Sequence, residues 1–254
     1  MIEINKIYNE DCLEGMKRIP DKSVDMILCD LPYQVTDSKW DVIIPFDLMW
    51  ERYKRVIKDD GAIVLFGTEP FSSFLRMSNI KNYKYDWVWN KRKGGNIFNL
   101  KSQPYKIHEN IMVFNSTKES YYPIMEYQKE RTGRVHSKTD NFRTTDYGDE
   151  RKYNKKYPKS ILDFSNAYQK GKVHPTQKPV PLFEYLIKTY TDEGETVLDN
   201  CIGSGTTAIA CLNTERNFIG FELNKEYFEI AQNRIEKRQN EISLLDVETL
   251  EVIE

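Results

Sequence analysis

Short apolar runs alternate along the chain with longer segments whose apolar residues recur every three or four positions. Apolar runs bounded by glycine or polar residues are typical of buried strands, and the longer spacing is typical of helices. Strands are predicted over residues 23–29, 61–67, 85–89, 109–114, 196–199 and 218–222, and helices over 46–57, 70–77, 182–190, 206–213 and 227–238. This alternation predicts an α/β fold with a doubly wound, mostly parallel, Rossmann-like sheet, whose ligands bind at the carboxyl ends of the strands.

The pattern stops between residues 115 and 172. This segment is polar and rich in Lys, Arg and Tyr, although Phe142, Ile161 and Phe164 are among the residues available for a small core. We therefore predict a main domain formed by residues 1–114 and 173–240, an inserted region over 115–172 and an acidic C-terminal tail over 241–254 that frays.

Basic residues are concentrated in the predicted insertion. Lys and Arg exceed Asp and Glu by five within residues 116–172, whereas the whole chain of 254 residues carries a net charge of −2. A local basic surface suits phosphate groups, so the overall charge does not exclude a nucleic-acid partner. The alternative is a solvated surface loop. With a second basic loop after the strand at 85–89, the candidate phosphate-binding residues are Lys91, Arg92, Lys93, Arg131, Arg134, Lys138, Arg143, Arg151 and Lys152.

The four cysteines have no C-x-x-C spacing and lie in apolar segments. They are predicted to be reduced thiols, in keeping with a cytoplasmic protein, and no metal site is predicted. No apolar run approaches the roughly 20 residues needed to cross a bilayer, and the first residues lack the pattern of a secretion signal. His108 and Glu109 are interpreted as a structural pair at the start of a strand.

A glycine turn, Gly203-Ser204-Gly205, separates the strand ending at Asp199 from the helix beginning at Thr206. Its glycines allow the backbone to approach a ligand closely. Glu222 ends the next strand, where a carboxylate can accept hydrogen bonds from both hydroxyls of a ribose. Ile209 lies near the place of the third glycine of a dinucleotide fingerprint, which disfavours NAD. The Asp199 carboxylate repels phosphate and suits the ammonium group of a methionine moiety. A plain tight turn is the alternative.

The tetrapeptide Asp30-Leu31-Pro32-Tyr33 follows the first buried strand directly. An exocyclic amine of a nucleobase is a poor nucleophile, because its lone pair is delocalised into the ring. Two acceptors on its two N–H groups, the Asp30 carboxylate and the Leu31 carbonyl, favour a tetrahedral nitrogen with a localised lone pair. Pro32 restricts Leu31 to extended dihedral angles, and Tyr33 offers a flat face on which a base can stack. An ordinary strand-to-loop turn is the alternative.

The order of these segments resembles that of the permuted, beta-group amino-methyltransferases of DNA. In that family a catalytic tetrapeptide (Asp/Asn/Ser-Pro-Pro-Tyr/Phe/Trp) precedes the cofactor-binding turn, and a target-recognition region lies between them. Two further segments are similar to those of the family: Tyr8-Asn9-Glu10-Asp11-Cys12-Leu13, and His174-Pro175-Thr176-Gln177-Lys178-Pro179 before the helix at 182–190. The resemblance covers residues 1–114 and 173–240, which would form a methyltransferase catalytic domain. Leu31 departs from the pattern, which has proline there.

The resemblance implies that S-adenosylmethionine is the cofactor and that residues 115–172 recognise the DNA target. The implied catalytic residues are Asp30, Leu31, Pro32 and Tyr33. Asp30 is also implied to contact the amino group of the cofactor. The other residues implied to bind the cofactor are Asp11 and Cys12 near the adenine, Thr176 and Lys178 at the methionine carboxylate, Asp199, Gly203, Gly205 and Thr206 around the methionine part, and Glu222 at the ribose.

The sequence therefore predicts a site-specific DNA methyltransferase that acts on adenine N6 of a base flipped out of double-stranded DNA. The aspartate of the tetrapeptide favours adenine, because members of the family that act on cytosine N4 more often have serine there. The alternatives are cytosine N4 in DNA, an RNA or protein amide, a Rossmann oxidoreductase, and a DNA-binding module without catalytic activity. A second copy of the chain and a paired restriction endonuclease are further partners that the resemblance suggests.

Overall fold

The computed structural model describes residues 2–33, 43–115, 117, 120–133, 152–166 and 177–251. Tertiary contacts divide the chain into two units. Unit 1 comprises Met1–Tyr122 and Ser160–Glu254, and unit 2 comprises Pro123–Lys159.

The described residues form two sheets. Their strands are β1 (Lys6–Tyr8), β2 (Val24–Cys29), β3 (Ile57–Gly67), β4 (Tyr83–Asn90), β5 (His108–Phe114), β6 (Glu126–Thr132), β7 (Lys152–Lys156), β8 (Ile161–Asp163), β9 (Thr196–Asp199) and β10 (Asn217–Phe221). Unit 1 contains an eight-stranded sheet with the order β1-β10-β9-β2-β3-β5-β4-β8. Neighbouring strands in it are parallel, except for the two pairs that include β5.

The central strand β2 is buried along its whole length. Met26 and Leu28 belong to one apolar layer, and Ile27 and Cys29 belong to the other. A strand covered on both faces requires apolar side chains at nearly every position. The apolar run, which only Asp25 interrupts, therefore predicted this strand correctly.

Helices cover both faces of this sheet. They are α1 (Cys12–Gly15), α2 (Phe46–Val56), α3 (Phe71–Ser78), α4 (Val180–Tyr190), α5 (Thr206–Asn213) and α6 (Lys225–Glu251). Phe183 of α4, Cys211 of α5 and Ala231 of α6 pack into the layer that contains Met26. Tyr53 of α2 packs with α3 into the opposite layer. Among the described residues, no helix combines the length and the apolar character needed to span a bilayer.

The predicted fold class is confirmed, and each predicted strand and helix is present; β9 and α5 have the predicted bounds, and the other predicted elements have shifted ends. The division of the chain differs from the prediction, because the described residues next to unit 2 that were assigned to an insertion over 115–172 belong to unit 1. Within them, Leu162 of β8 is buried and pairs with Trp89 of β4. A three-residue strand is too short to show a period, so the sequence pattern did not reveal it.

The predicted acidic tail over 241–254 also differs from the structure. Helix α6 continues to Glu251, well past the predicted end at residue 238. Residues 241–251 include three Glu and three Leu, which a helix accommodates at little cost.

Unit 2 contains β6 and β7, which form an antiparallel pair. Arg131 lies opposite Tyr153, and Thr132 lies opposite Lys152. Both strands are largely exposed. Because neither has a buried face, their sequences lack the apolar alternation that predicts strands, and neither was predicted.

Candidate active site

The two motifs singled out in the sequence meet at one edge of the sheet. β2 and β9 are parallel neighbours, with Met26 opposite Val197 and Ile27 opposite Leu198. The tetrapeptide follows β2 and the glycine turn follows β9, so both lie at the carboxyl ends of adjacent strands, where α/β sheets bind ligands. A cavity of about 1100 Å³ opens at this edge and is lined by both segments.

The cavity brings together most of the residues predicted to act in catalysis or to bind the cofactor. Those that line it are Asp11, Cys12, Asp30, Leu31, Pro32, Tyr33, Lys178, Gly203 and Glu222. Three other predicted residues, Asp199, Gly205 and Thr206, are buried and are not among its lining residues. Thr176 lies outside the described residues. The contacts of all these residues with a cofactor stay a prediction.

Four charged side chains meet beside the tetrapeptide. The Nζ atom of Lys178 lies 2.6 Å from Oδ2 of Asp30 and 3.3 Å from Oε2 of Glu109. Oε1 of Glu109 accepts a hydrogen bond from Nζ of Lys91 at 2.9 Å. The side chains of the two lysines and of Glu109 are only 10% to 14% exposed. The charges of two carboxylates and two ammonium groups thus neutralise one another in a largely buried environment. An unpaired charge there would destabilise the fold.

The sheet topology explains why these side chains converge. Asp30 follows β2 and Lys91 follows β4, so both lie at the carboxyl edge of the parallel strands. Glu109 stands at the beginning of β5, which runs antiparallel to β3 and β4. The start of an antiparallel strand lies at the same edge as the ends of its neighbours.

The electrostatics of this cluster centre on Lys178. Burial raises the pKa of Asp30, and the charge of Lys178 opposes this shift. Burial lowers the pKa of Lys178, but the carboxylates of Asp30 and Glu109 outweigh burial and raise it above its ordinary value. Burial raises the pKa of Glu109, but the positive charges of Lys178 and Lys91 outweigh burial, so the pKa is lowered below its ordinary value. Lys178 thus favours the ionised form of Asp30, the form that accepts hydrogen bonds with both oxygens.

Tyr33, the last residue of the tetrapeptide, contacts Asp30, which the sequence did not predict. Its hydroxyl donates a hydrogen bond to Oδ1 of Asp30. Its ring packs against Phe71, with a distance of 5.0 Å between the ring centroids, and Nζ of Lys178 lies 6.0 Å from its centroid. The ring therefore borders the cavity in a position that several contacts define.

Both carboxylate oxygens of Asp199 accept hydrogen bonds from residues that follow it, in the turn and in α5. Its Oδ1 accepts a hydrogen bond from the backbone N–H of Cys201 at 3.0 Å, and its Oδ2 accepts one from the hydroxyl of Thr207. Burial raises the pKa of Asp199 to about 7, although both hydrogen bonds act in the opposite direction. In this structure the residue organises the connection between β9 and α5.

Glu222 follows β10 directly and is held across the glycine turn. Its Oε2 accepts a hydrogen bond from the backbone N–H of Gly203 at 2.9 Å, and its Oε1 accepts one from the N–H of Asn224 at 2.7 Å. Burial raises its pKa, and these hydrogen bonds oppose the shift. The carboxylate is therefore fixed beside the cavity, where the sequence predicted a ribose-binding group.

Asp11 and Cys12 lie at the beginning of α1 and line the cavity. Asp11 caps this short helix by accepting hydrogen bonds from the N–H groups of Leu13 and Glu14, at 2.8 and 3.2 Å. Sγ of Cys12 lies 3.7 Å from Nδ2 of Asn200, the residue after β9. These contacts place the N-terminal segment beside the turn that follows β9.

The candidate phosphate-binding residues do not share one environment. Lys91 was predicted to lie in a flexible basic loop, but its ammonium group forms the buried ion pair with Glu109. Arg92 is exposed and pairs with Asp163 at 2.8 Å, and Lys93 is exposed. Arg131 and Lys152 lie in unit 2. Four candidates lie outside the described residues: Arg134, Lys138, Arg143 and Arg151.

Glu109 is the residue of this site that the sequence analysis missed. It was interpreted as a structural partner of His108, whereas the structure connects it to both lysines of the cluster. The available signal was a carboxylate directly before a buried apolar strand. That signal becomes specific only when the direction of β5 in the sheet is known.

Comparisons with known proteins identify the family of this chain. Residues 24–233 match the N6_N4_Mtase family of DNA methylases. The type II methyltransferase M.HpaI of Haemophilus parainfluenzae is 27% identical to the chain, over 95% of this chain and 77% of its own length. The DNA adenine methyltransferase YhdJ of Escherichia coli K12 is 27% identical, over 92% of this chain and 83% of its own length.

Two solved structures are similar to this chain. The M1.HpyAVI–SAM complex matches with a TM-score of 0.60 at 28% identity and covers 90% of this chain and 98% of its own. The cytosine-N4-specific PvuII DNA methyltransferase shares the fold, with a TM-score of 0.65 at 17% identity over 92% of this chain and 90% of its own. The chain therefore belongs to the N6/N4 family of DNA methylases and is a DNA methyltransferase.

Proposed function

We propose that this DNA methyltransferase transfers a methyl group from S-adenosylmethionine to N6 of an adenine that is flipped out of double-stranded DNA. The observation that carries the proposal is the shared cavity of the tetrapeptide and the glycine turn. A methyl group can pass from a cofactor to an amine only if both bind in one site. Membership in the DNA methylase family and the similarity to the M1.HpyAVI–SAM complex identify the cofactor.

The walls of the cavity fit this cofactor. The volume of about 1100 Å³ is at the upper end of ordinary ligand sites, as two ligands require. Glu222 offers a carboxylate to the ribose hydroxyls, and Lys178 offers an ammonium group to the methionine carboxylate. Bound there, S-adenosylmethionine supplies a methyl group that is activated by a positively charged sulfur.

The tetrapeptide prepares the target amine. The carboxylate of Asp30 accepts a hydrogen bond from one N–H of the amine, and the backbone carbonyl of Leu31 accepts one from the other. The lone pair of the nitrogen is thereby withdrawn from the ring and oriented, while the base stacks on Tyr33. Positioning of this kind supplies a large share of the acceleration. No general base is needed, because the methylated amine can lose its proton to solvent.

Lys178 would contact both Asp30 and the cofactor in this mechanism. In the structure, Oδ2 of Asp30 is occupied by Lys178 and Oδ1 by Tyr33. An ammonium group has three N–H donors, so Lys178 would hold the methionine carboxylate of the cofactor while it stays paired with Asp30. Each oxygen of the Asp30 carboxylate has a second lone pair, which would accept a hydrogen bond from the target amine.

Adenine is favoured over cytosine by the tetrapeptide and by one relative. Asp30 occupies the position at which enzymes acting on cytosine N4 more often have serine, and YhdJ is a DNA adenine methyltransferase that matches most of this chain. Methylation of random-sequence duplex DNA with labelled cofactor, followed by nucleoside mass spectrometry, tests the assignment. N6-methyladenine is the expected product. N4-methylcytosine would transfer the proposal to the cytosine alternative, and the absence of any modified base would overturn it.

The Asp30→Ala variant tests the role of the tetrapeptide. We expect it to lose methyl transfer by at least about a thousandfold, because the amine loses its charged acceptor and its orientation. Calorimetry should show binding of S-adenosylmethionine that is only partly weakened. Asp163→Ala, which removes an exposed aspartate outside the cavity, is the matched control and should retain wild-type activity. Wild-type activity in Asp30→Ala would contradict the mechanism.

A further inference from the structure

The loop between β4 and β5, residues 91–107, exposes an apolar tip. Phe98 is 99% exposed, and its neighbours Ile97 and Leu100 are 61% and 48% exposed. An aromatic side chain wholly in water at the end of a loop contributes nothing to the core. Several exposed apolar side chains grouped together, as at this tip, are typical of a surface that binds a partner.

The tip is supported by hydrogen bonds within the loop. The side chain of Asn96 donates to the carbonyl of Pro104 at 2.9 Å and accepts from the N–H of Lys106 at 2.9 Å. The hydroxyl of Tyr105 donates to the carbonyl of Gly94 at 3.1 Å. Between these ties, residues 97–99 form a turn of 3₁₀ helix. The loop therefore has a defined conformation that presents Phe98 outward.

The same loop forms part of the wall of the active-site cavity. Gly95, Asn96, Asn99 and Gln103 line the cavity together with Asp30. Phe98 therefore stands next to the cavity without filling it. A group bound to the outside of this tip would lie close to a base held against the tetrapeptide.

The charges around the tip identify the partner. Lys93 and Lys101 flank the apolar residues and are exposed, and within the part of the chain that the structure describes neither forms an ion pair. Exposed lysines suit phosphates, and an exposed aromatic ring suits the gap between stacked bases. Together these features match double-stranded DNA better than they match an apolar protein surface.

We propose that Phe98 enters the base stack of the DNA when the target base leaves it, and so stabilises the flipped state. This inference rests on the proposed function and adds the residue that compensates for the lost stacking. Flipping a base out of the duplex costs free energy, most of it in unpairing and unstacking. An aromatic ring in the vacated space recovers part of this cost. The flanking lysines hold the loop against the backbone.

The test compares two DNA duplexes that contain the mapped recognition site. One is fully paired, and in the other the target base lies opposite an abasic position, so that it is already unpaired. We expect Phe98→Ala to lower kcat/KM at least about tenfold on the paired duplex and less than about threefold on the abasic one. Phe98→Tyr should retain activity on both, because it keeps a flat ring. Binding of S-adenosylmethionine, measured by calorimetry, should be unchanged in both variants.

Phe74→Ala is the matched control, because Phe74 is also a largely exposed phenylalanine, at 65%, and does not line the cavity. It should behave as the wild type on both duplexes. If Phe98→Ala and wild type were equally active on the paired duplex, only the proposed role of Phe98 would be overturned, and the proposed function would stand. An equal loss on both duplexes would overturn it as well, because it would indicate a general DNA contact. A wild-type protein that methylates no DNA would instead overturn the proposed function.

Discussion

The carboxylate of Asp30 is subject to two opposing electrostatic effects. Burial favours its protonated form, and Lys178 at 2.6 Å favours its ionised form. A protonated carboxylic acid has lost much of its capacity to accept hydrogen bonds from the two N–H groups of an amine. In the proposed mechanism, activity at neutral pH therefore depends on a lysine that lies far away in sequence.

Replacement of Lys178 should change the pH dependence of catalysis. In Lys178→Gln the pKa of Asp30 rises further, because the opposing positive charge is gone while burial remains. At a given pH, Asp30 is then protonated in a larger fraction of the enzyme molecules. The acidic limb of the profile of kcat/KM against pH therefore moves to higher pH. We expect kcat/KM at pH 7 to fall at least about tenfold, with partial recovery as the pH is raised.

Lys91→Gln is the control for this experiment. It removes an equal charge from the same cluster, but Lys91 contacts Glu109 and not Asp30. Its acidic limb should move less. If Lys178→Gln and wild type share the same acidic limb, Lys178 does not govern the ionisation of Asp30.

Asp199 should make the unliganded protein less stable as the pH rises. Its pKa of about 7 in the folded protein lies above its ordinary value. Between these two pH values the folded state keeps a proton that the unfolded state has lost, so the free energy of unfolding falls with increasing pH. An asparagine side chain cannot titrate. Relative to Asp199→Asn, the free energy of unfolding of the wild type should fall by about 1–3 kcal/mol between pH 5 and pH 8. Urea unfolding at several pH values measures this difference.

Asp59→Asn provides the comparison, because the side chain of Asp59 is 92% exposed. It should follow the wild-type pH dependence. A constant difference between wild type and Asp199→Asn across this pH range would show that Asp199 ionises in the folded protein as it does in the unfolded chain.

Among the elements, α5 depends on a glycine at its beginning. Gly205 has φ of 82°, in the left-handed region that other residues enter at a cost. A Cβ atom there would lie 3.1 Å from Cβ of Ala231 on α6. We expect Gly205→Ala to lower the free energy of unfolding by roughly 1–3 kcal/mol, as measured by denaturant titration. Gly95→Ala, where no atom lies within 4 Å of the added carbon, should change it by less than about 0.5 kcal/mol.

The predictability of the elements depended on their length and burial. β2, β3 and α4 were predicted because long apolar stretches leave a period or a run in the sequence. β1 and β8 were missed because three residues are too few to show a pattern. β6 and β7 escaped prediction for a different reason, since their side chains are mostly exposed and any polar sequence can occupy such positions.

For the molecule as a whole, DNA binding has to arise from local charge, because the net charge is −2. Arg131 of unit 2 is exposed and is a predicted phosphate contact. We expect Arg131→Ala to weaken binding about equally for all DNA sequences and to reduce the slope of log Kd against log salt concentration by about one. Fluorescence anisotropy at several salt concentrations measures both. Arg238→Ala, which removes an arginine paired with Glu241 on α6, should leave the slope unchanged, and an unchanged slope in Arg131→Ala would exclude that contact.

The linear pattern of residues was sufficient for the central strands, the helices that cover them, the order of the two motifs and the class of chemistry. These features are local, since a run, a period or a tetrapeptide is complete within a few positions. The grouping of Asp30, Lys178, Glu109 and Lys91 is different. It follows from which strands are neighbours and from the direction of β5, and these depend on packing between residues that are far apart in sequence. Folding therefore decided which charges meet, and their mutual neutralisation away from water is what sets their ionisation.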